Sequence, residues 1–175
     1  MRSRRLRVVP WSHIKSWRCL SCGDCCTSSL VPLTPKEWVR IVQRFGYDCT
    51  ETGLSGFYLK RTVENRCIFQ YQFMGMYLCA IQDIKPKACK LWPFKVYDYP
   101  KYGLADEALY KYGGENIYIY VDTKCRGIVY GKPSNHFVKK VLPEFVEIAF
   151  NERDEQVYST ANLPIRPKLS SFIYF

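Results

Sequence analysis

The sequence predicts a small single domain of the α+β class with short strands, and three observations support that prediction. The chain has 175 residues, which is the size of one domain. A block of four cysteines is followed by one amphipathic helix, and short segments with alternating apolar residues are typical of strands. Further cysteines stand beside these predicted elements, where we expect loops to converge on metal centres.

The clearest predicted element is a helix in the segment TPKEWVRIVQRFG, residues 34–46. Thr34 is a good N-cap, and Glu37 stands where it completes a capping box. Gly46 is a typical residue just beyond a helix end. One apolar face is formed by the residues spaced i, i+3, i+4 and i+7, which are Trp38, Ile41, Val42 and Phe45. We expect this helix to be scaffold that packs after the cysteine block.

The other predicted elements are strands and a C-terminal helix. Strands are predicted at 57–60, 67–71, 76–81 and 116–122, and the second and third of these are expected to form a hairpin around Gly75. A second helix is predicted from Ser134 onward, and Pro143 must kink it or begin a new segment. These elements suggest a basic N-terminal arm at 1–16, a cysteine-cluster metal-binding domain at 17–135, and a C-terminal helix and tail at 136–175 packed on the same domain.

The chain is basic, with a formal net charge of +10. That count treats cysteine as neutral, and thiolates around two Fe–S clusters or two zinc ions would lower it to about +6. Residues 1–18 hold six basic residues and no acidic one. The favoured interpretation is a solvated arm, and contact with nucleic acid or an acidic partner is the alternative.

Targeting signals are absent from the sequence. The basic start lacks the apolar run of a signal peptide, and no stretch approaches the roughly 18 apolar residues that span a membrane. We therefore expect a cytoplasmic protein with no membrane partner. Thiols in that compartment are normally reduced, so clustered cysteines indicate metal ligands first, and disulfides are the minor alternative.

The cysteine block RCLSCGDCC, residues 18–26, carries the strongest chemical signal. A C-x2-C spacing lets two thiolates of one tight turn reach a single metal, and Gly23 supplies the backbone freedom of such a turn. C-x2-C-x2-C is also the spacing by which a ferredoxin loop gives three ligands to one cubane cluster. If the dipeptide Cys25–Cys26 is extended, its side chains point to opposite sides, which predicts that they serve different metal centres.

Four segments, CLSCGDCC, RCIF, YLCAIQDIKPKACKLWPF and KCRGIVYGKP, together resemble the CxxCxxCC cysteine-cluster family, also called YkgJ-like. The resemblance covers about residues 17–135, and the family's domain is described as zinc- or iron-chelating. Carried over position by position, it implies eight metal ligands: Cys19, Cys22, Cys25, Cys26, Cys67, Cys79, Cys89 and Cys125. Cys49 lies outside the pattern and is interpreted as an ordinary free thiol.

The function predicted from these observations is that of a cysteine-ligated metal-cluster protein, with an Fe–S cluster, expected to be 4Fe–4S, favoured over zinc. Members that resemble this sequence are often labelled Fe–S oxidoreductases, which implies electron transfer or another redox role with a redox or protein partner. No P-loop, G-x-G-x-x-G or radical-SAM spacing is present, so no catalytic residue is assigned and enzymatic activity is left open.

Two alternatives to that function come from other classes. One is a structural zinc protein whose basic surface binds nucleic acid or a protein partner. The other is a metal-delivery protein with Cys26 or Cys49 as an exchangeable thiol. All-thiolate ligation suits both metals, so cysteine spacing leaves the choice between iron and zinc open.

Overall fold

The computed structural model describes residues 7–27 and 30–158, and these residues form short strands and helices that confirm the α+β class. The strands are Val8–Pro10 (β1), Ile14–Trp17 (β2), Pro32–Leu33 (β3), Thr50–Gly53 (β4), Gly56–Leu59 (β5), Gln70–Phe73 (β6), Met76–Cys79 (β7), Phe94–Tyr97 (β8), Leu109–Tyr112 (β9), Glu115–Asp122 (β10) and Ile128–Tyr130 (β11). The α helices are Pro35–Phe45 (α1), Lys87–Lys90 (α2), Ala105–Ala108 (α3) and Leu142–Phe150 (α4).

The described residues belong to two compact units. One, the sheet unit, contains residues 7–20 and 90–156; the other, the cysteine unit, contains residues 21–27, 30–89 and 157–158. Residues 1–6 of the predicted arm and residues 159–175 of the predicted tail lie outside the described residues. The boundaries that the sequence suggests at 16 and 135 remain predictions.

The sheet unit is built around the long strand β10. Strands β1, β8 and β9 all pair with β10 in antiparallel register. Its residues 117, 119 and 121 are buried apolar side chains that share one face of the strand. Phe94 lies opposite Val121 in the register, and its ring packs 4.3 Å from the ring of Phe145 in α4. This face of the sheet therefore forms a core with the C-terminal helix.

The C-terminal helix is interrupted as the sequence predicts. A π-helical turn spans Phe137–Val141, and α4 begins at the next residue with Pro143 in its first turn. The hydroxyl of Ser134 accepts a hydrogen bond from the amide of Phe137 at 3.2 Å, which satisfies one free donor at the start. Pro143 thus begins a new helical segment, because a proline is tolerated in a first turn, where its missing amide has no partner to lose.

The cysteine unit packs α1 against two small antiparallel sheets, β3–β5–β4 and the hairpin β6–β7. The predicted capping box is confirmed: the Thr34 hydroxyl accepts from the Glu37 amide, and the Glu37 carboxylate accepts from the Thr34 amide. Ile41 is fully buried, and the ring of Trp38 stacks 4.5 Å from the ring of Phe57. Helix α1 is therefore the scaffold element that the sequence predicts.

The hairpin predicted around Gly75 is also confirmed, with Phe73 opposite Met76. Its first strand begins at Gln70 instead of Cys67, because Cys67 pairs with Arg61 in an isolated bridge and its carbonyl accepts from the Gln70 amide in a turn. No helix among residues 7–27 and 30–158 is long and apolar enough to cross a membrane.

Asp122 offers a test of the sheet unit, since its side chain is only 2% exposed. Its Oδ1 accepts hydrogen bonds from Arg7 Nε at 3.3 Å and from the Lys124 amide at 3.1 Å. We expect Asp122→Ala to lower the free energy of unfolding by about 1–3 kcal/mol, because the hydrogen bonds that the charged Asp122 carboxylate accepts are lost. Urea denaturation measures this loss, and the exposed Asp98→Ala is the control. Equal losses in the two variants would contradict the role given to Asp122.

Candidate metal centre

The predicted turn in the cysteine block is present and depends on Gly23. This glycine has a φ of 76°, and a 3-10 turn, Asp24–Cys26, follows it directly. The Cys26 amide donates a hydrogen bond to the Gly23 carbonyl at 3.0 Å. A Cβ added to Gly23 would lie 2.5 Å from Gln70 Nε2 and 2.8 Å from Tyr77 Cγ. Only glycine fits here, because both its φ and its close approach exclude a side chain.

Three hydrogen bonds hold this turn against the hairpin β6–β7 and the residue that leads into it. The Tyr77 amide donates to the Ser21 carbonyl at 2.8 Å, and Gln70 Nε2 donates to the Gly23 carbonyl at 3.1 Å. The Cys67 amide donates to the Cys26 carbonyl at 3.0 Å. The cysteines of the turn are thereby placed beside Cys67, while Cys79 ends strand β7 opposite Gln70.

Cys89 lies on the short helix α2, and the Glu37 carboxylate holds that helix against α1. Glu37 Oε2 accepts from the Thr34 amide at 2.8 Å, and Oε1 accepts from the Lys87 amide at 2.6 Å. One carboxylate therefore caps α1 and also satisfies the first amide of α2. The capping motif predicts the first of these contacts, but no spacing rule predicts the second, which joins residues 50 positions apart.

Five thiols come together in the cysteine unit, and we call them the thiol cluster: Cys25, Cys26, Cys67, Cys79 and Cys89. The Sγ atoms of Cys25 and Cys26 are 3.8 Å apart. The other members pack in or against one apolar core, which includes Val31, Leu33, Ile41, Leu59, Phe69 and Ile81. Three segments distant in sequence thus deliver their sulfurs to one buried region.

Burial and mutual repulsion govern the ionisation of the thiol cluster. Burial raises the pKa of Cys67 to about 11 and also raises the pKa of Cys79 and of Cys89. Negative charge on Cys25 raises the pKa of these same three thiols further. Several thiolates at once are therefore costly here without a cation, and metal binding at these residues must release their protons.

Cys25 is the member of the cluster whose thiolate is favoured. The hydrogen bond from Cys26, with a smaller contribution from the Lys85 cation, lowers the pKa of Cys25 to about 7 against the opposing effect of burial. The same hydrogen bond, followed by burial, raises the pKa of Cys26. Lys85 also lowers the pKa of Cys79 and of Cys89, so this one cation favours the thiolates of three cluster members.

The extended conformation assumed for Cys25–Cys26 is wrong. Both residues lie in the 3-10 turn, where successive side chains do not alternate as they do in a strand. Their sulfurs are near each other, so the geometric argument for two different metal centres loses its basis. The turn follows from the left-handed conformation of Gly23, which reverses the chain just before the pair.

The three other predicted ligands lie in different settings. Cys22 is half-buried in the same turn as the cluster. Cys19 is exposed just beyond β2 in the sheet unit, and Cys125 lies between β10 and β11 in that unit. Trp17 Nε1 donates a hydrogen bond to Cys125 Sγ at 3.2 Å. For all eight cysteines the ligand assignment remains a prediction, and the structure groups five of them in the thiol cluster.

Cys49, the cysteine outside the family pattern, packs against the same apolar core but differs from the thiol cluster in its hydrogen bond and in its electrostatic surroundings. It ends a 3-10 turn after α1, and its thiol donates to the Phe45 carbonyl at 3.4 Å. Burial, and then Asp48, raise its pKa, whereas none of the cluster thiols contributes to that shift. The interpretation as a free thiol that is not a ligand is consistent with this setting.

The thiol cluster fits a soft metal in its donor chemistry and burial. Thiolates are the preferred ligands of zinc and of Fe–S clusters. The cysteine unit contains no histidine, since His13 and His136 both lie in the sheet unit. In the part of the chain that the structure describes, no three Cys, His, Asp or Glu side chains are already arranged to hold one ion. The thiol cluster therefore matches the needs of a soft metal in the type of its donor atoms and in their burial.

The thiol cluster is the feature of the described residues whose chemistry suits a bound metal. A comparison with protein families agrees: residues 18–126 match the CxxCxxCC family model, described as "Putative zinc- or iron-chelating domain". The chain belongs to the CxxCxxCC family. No curated protein and no solved structure shows a significant match to it.

Gly23 can be tested against Gly75, which has the same φ of 76° but open space where a Cβ would be. We expect Gly23→Ala to lower the free energy of unfolding by at least about 1 kcal/mol more than Gly75→Ala, because only Gly23 faces neighbouring atoms as well as an unfavourable φ. Chemical denaturation of both variants measures the difference. Equal effects would mean that conformation alone, and not the approach to Gln70 and Tyr77, requires glycine.

Proposed function

We propose that the thiol cluster holds an Fe–S centre that carries electrons to or from a redox partner. The observation that carries the proposal is that Cys26, Cys67, Cys79 and Cys89 pack in or against one apolar core, with the Sγ of Cys25 3.8 Å from that of Cys26. Packing alone does not require several thiols in one region, whereas an Fe–S cluster needs four thiolates close together.

The iron–sulfur assignment is supported by the donor set and by the turn. Cys22 and Cys25 stand at C-x2-C spacing with Cys19, in the pattern by which ferredoxin loops give several ligands to one cubane. Every donor in the cluster is sulfur, and Gly23 keeps the backbone of the turn close to the hairpin. Such backbone closeness brings amide groups near the sulfurs, where hydrogen bonds tune reduction potentials.

The chain's own residues have definite roles in this proposal. The apolar residues of the core exclude water, and Lys85 stabilises negative charge on Cys25 and Cys79. Glu37 positions the helix that carries Cys89. When bound, an Fe–S cluster would supply one-electron transfer, and no catalytic residue is assigned to the chain. Cys19, Cys22 and Cys125 remain proposed ligands on the strength of the family pattern.

The metal can be identified by anaerobic purification followed by measurement of iron, zinc, acid-labile sulfide and the visible spectrum. The proposal predicts iron and sulfide in equal amounts, with visible absorption that is lost on reduction. A colourless protein with stoichiometric zinc and no sulfide would overturn it and favour a structural zinc site made by the same thiols.

The ligand assignment is tested by serine substitutions. We expect Cys89→Ser and Cys79→Ser each to lose most of the bound metal and to unfold more easily, because metal binding is coupled to folding. The family pattern predicts the same of Cys19→Ser. The measurements are the metal-to-protein ratio and thermal unfolding followed by circular dichroism.

Cys49→Ser is the matched control, since Cys49 is a half-buried cysteine of the same unit that lies outside the cluster. It should keep the metal and nearly all the stability. If Cys49→Ser strips the metal while Cys89→Ser retains it, the assignment of ligands is wrong.

A further inference from the structure

The sheet unit brings together two segments that contain no acidic residue. Neither residues 1–23 nor residues 123–143 include an aspartate or a glutamate. Strands β2 and β11, one from each segment, pair in antiparallel register with Trp17 opposite Ile128. The Arg18 amide donates to the Gly127 carbonyl at 3.1 Å, and the Ser134 amide donates to the Lys15 carbonyl at 3.0 Å. We call residues 13–18 and 124–134 the basic ribbon.

Exposed cations are concentrated on and beside the basic ribbon. Besides Arg126, six lysines and arginines are exposed there: Lys15, Arg18, Lys124, Lys132, Lys139 and Lys140. The last two stand in the π-helical turn, whose buried residues Phe137 and Val141 face the interior. None of the six forms an ion pair with a described acidic residue. Their charges therefore remain available to a partner.

Three other cations of the sheet unit have carboxylate partners. Arg7 pairs with Asp122, Lys90 with Asp154 and Arg153 with Glu147. His13, at one end of the ribbon, pairs with Glu107. The six cations on and beside the ribbon differ from these, because their counter-charge comes from solvent ions or from a partner.

The outer face of the ribbon is open to solvent. Trp17 points inward, where its ring packs edge-on against Phe94 and Phe145, so its neighbours Ser16 and Arg18 point outward. Val129, opposite Ser16, is 50% exposed, and Tyr130 is 56% exposed. The ribbon thus exposes the Tyr130 ring two residues before Lys132 in the sequence.

We propose that the basic ribbon binds single-stranded nucleic acid, with its cations on the phosphates and the Tyr130 ring stacked on an unpaired base. A row of unpaired cations matches the repeating charge of a phosphate backbone, and an exposed aromatic ring gives a stacking surface to any base. Single strands are favoured over duplexes because only unpaired bases leave the stack to meet a side chain. This inference is independent of which metal the thiol cluster holds.

The first test measures the binding of the metal-loaded protein to a fluorescein-labelled, mixed-sequence single-stranded RNA by anisotropy, between about 50 and 200 mM salt. Lys15→Glu/Lys132→Glu is compared with Lys36→Glu/Arg40→Glu, which makes the same charge change at exposed positions of α1. The ribbon variant should bind at least about tenfold more weakly, with a salt slope smaller by about 1.4. The α1 variant should change Kd by about twofold or less.

The second test concerns the aromatic ring. Tyr130→Ala should weaken binding by about tenfold, whereas Tyr99→Ala, which removes a similarly exposed ring outside the ribbon at 52% exposure, should leave it unchanged. Single-stranded DNA of the same sequence should bind about as well as RNA, because phosphates and base faces are common to both.

Several outcomes would overturn the proposal. Equal weakening by the two charge-reversal pairs would show a response to net charge alone. Binding that is independent of salt, tighter binding to a duplex than to a single strand, or binding to phosphatidylserine vesicles or polyglutamate but not to RNA would each exclude it. All the substitutions are at exposed positions, and circular dichroism verifies that each variant is folded.

Discussion

The close approach of Gly23 to the hairpin β6–β7 is the constraint on which the rest of the cysteine unit depends. A side chain at this position would collide with Gln70 and Tyr77, and it would separate the turn from its three hydrogen-bond partners. Those bonds engage only backbone atoms of the turn and use none of its side chains. With the backbone held in this way, Cys26 packs against the apolar core and the Sγ of Cys25 lies 3.8 Å from that of Cys26.

Local elements of this fold follow from local signals. Short stretches of sequence predict four elements: helix α1 with its capping box, the hairpin around Gly75, strand β10 and the change of helix at Pro143. The grouping of the thiols is different, because it depends on contacts between segments about 40 to 60 residues apart, which no spacing rule reports. The extended Cys25–Cys26 dipeptide was a wrong assumption for a local reason, since Gly23 in the left-handed region begins a 3-10 turn.

Charge is distributed unevenly along this chain. The cysteine unit combines buried thiols with a nearby lysine, so a metal and its thiolates have their counter-charge within the same unit. The sheet unit pairs strands from two acid-free stretches in one ribbon, while Arg7, Lys90 and Arg153 elsewhere in the unit pair with carboxylates. A single net charge of +10 hides this division. A binding partner therefore responds to the charge of the surface that it contacts and not to the net charge of the chain, because salt screens charges that are farther away.

The placement of several thiols inside one core affects how easily the purified protein loses its native state through thiol oxidation. In the folded, metal-free protein the buried sulfurs are shielded, and burial raises the pKa of Cys67 and of Cys89, so these thiols react slowly. Once the cysteine unit opens, its seven cysteines meet oxygen and one another, and oxidised or wrongly paired sulfurs block return to the native core. The lifetime of the native protein then depends on the rate at which the cysteine unit unfolds and on how reducing the solution is. The midpoint of an equilibrium unfolding curve describes its stability only when oxidants are strictly excluded.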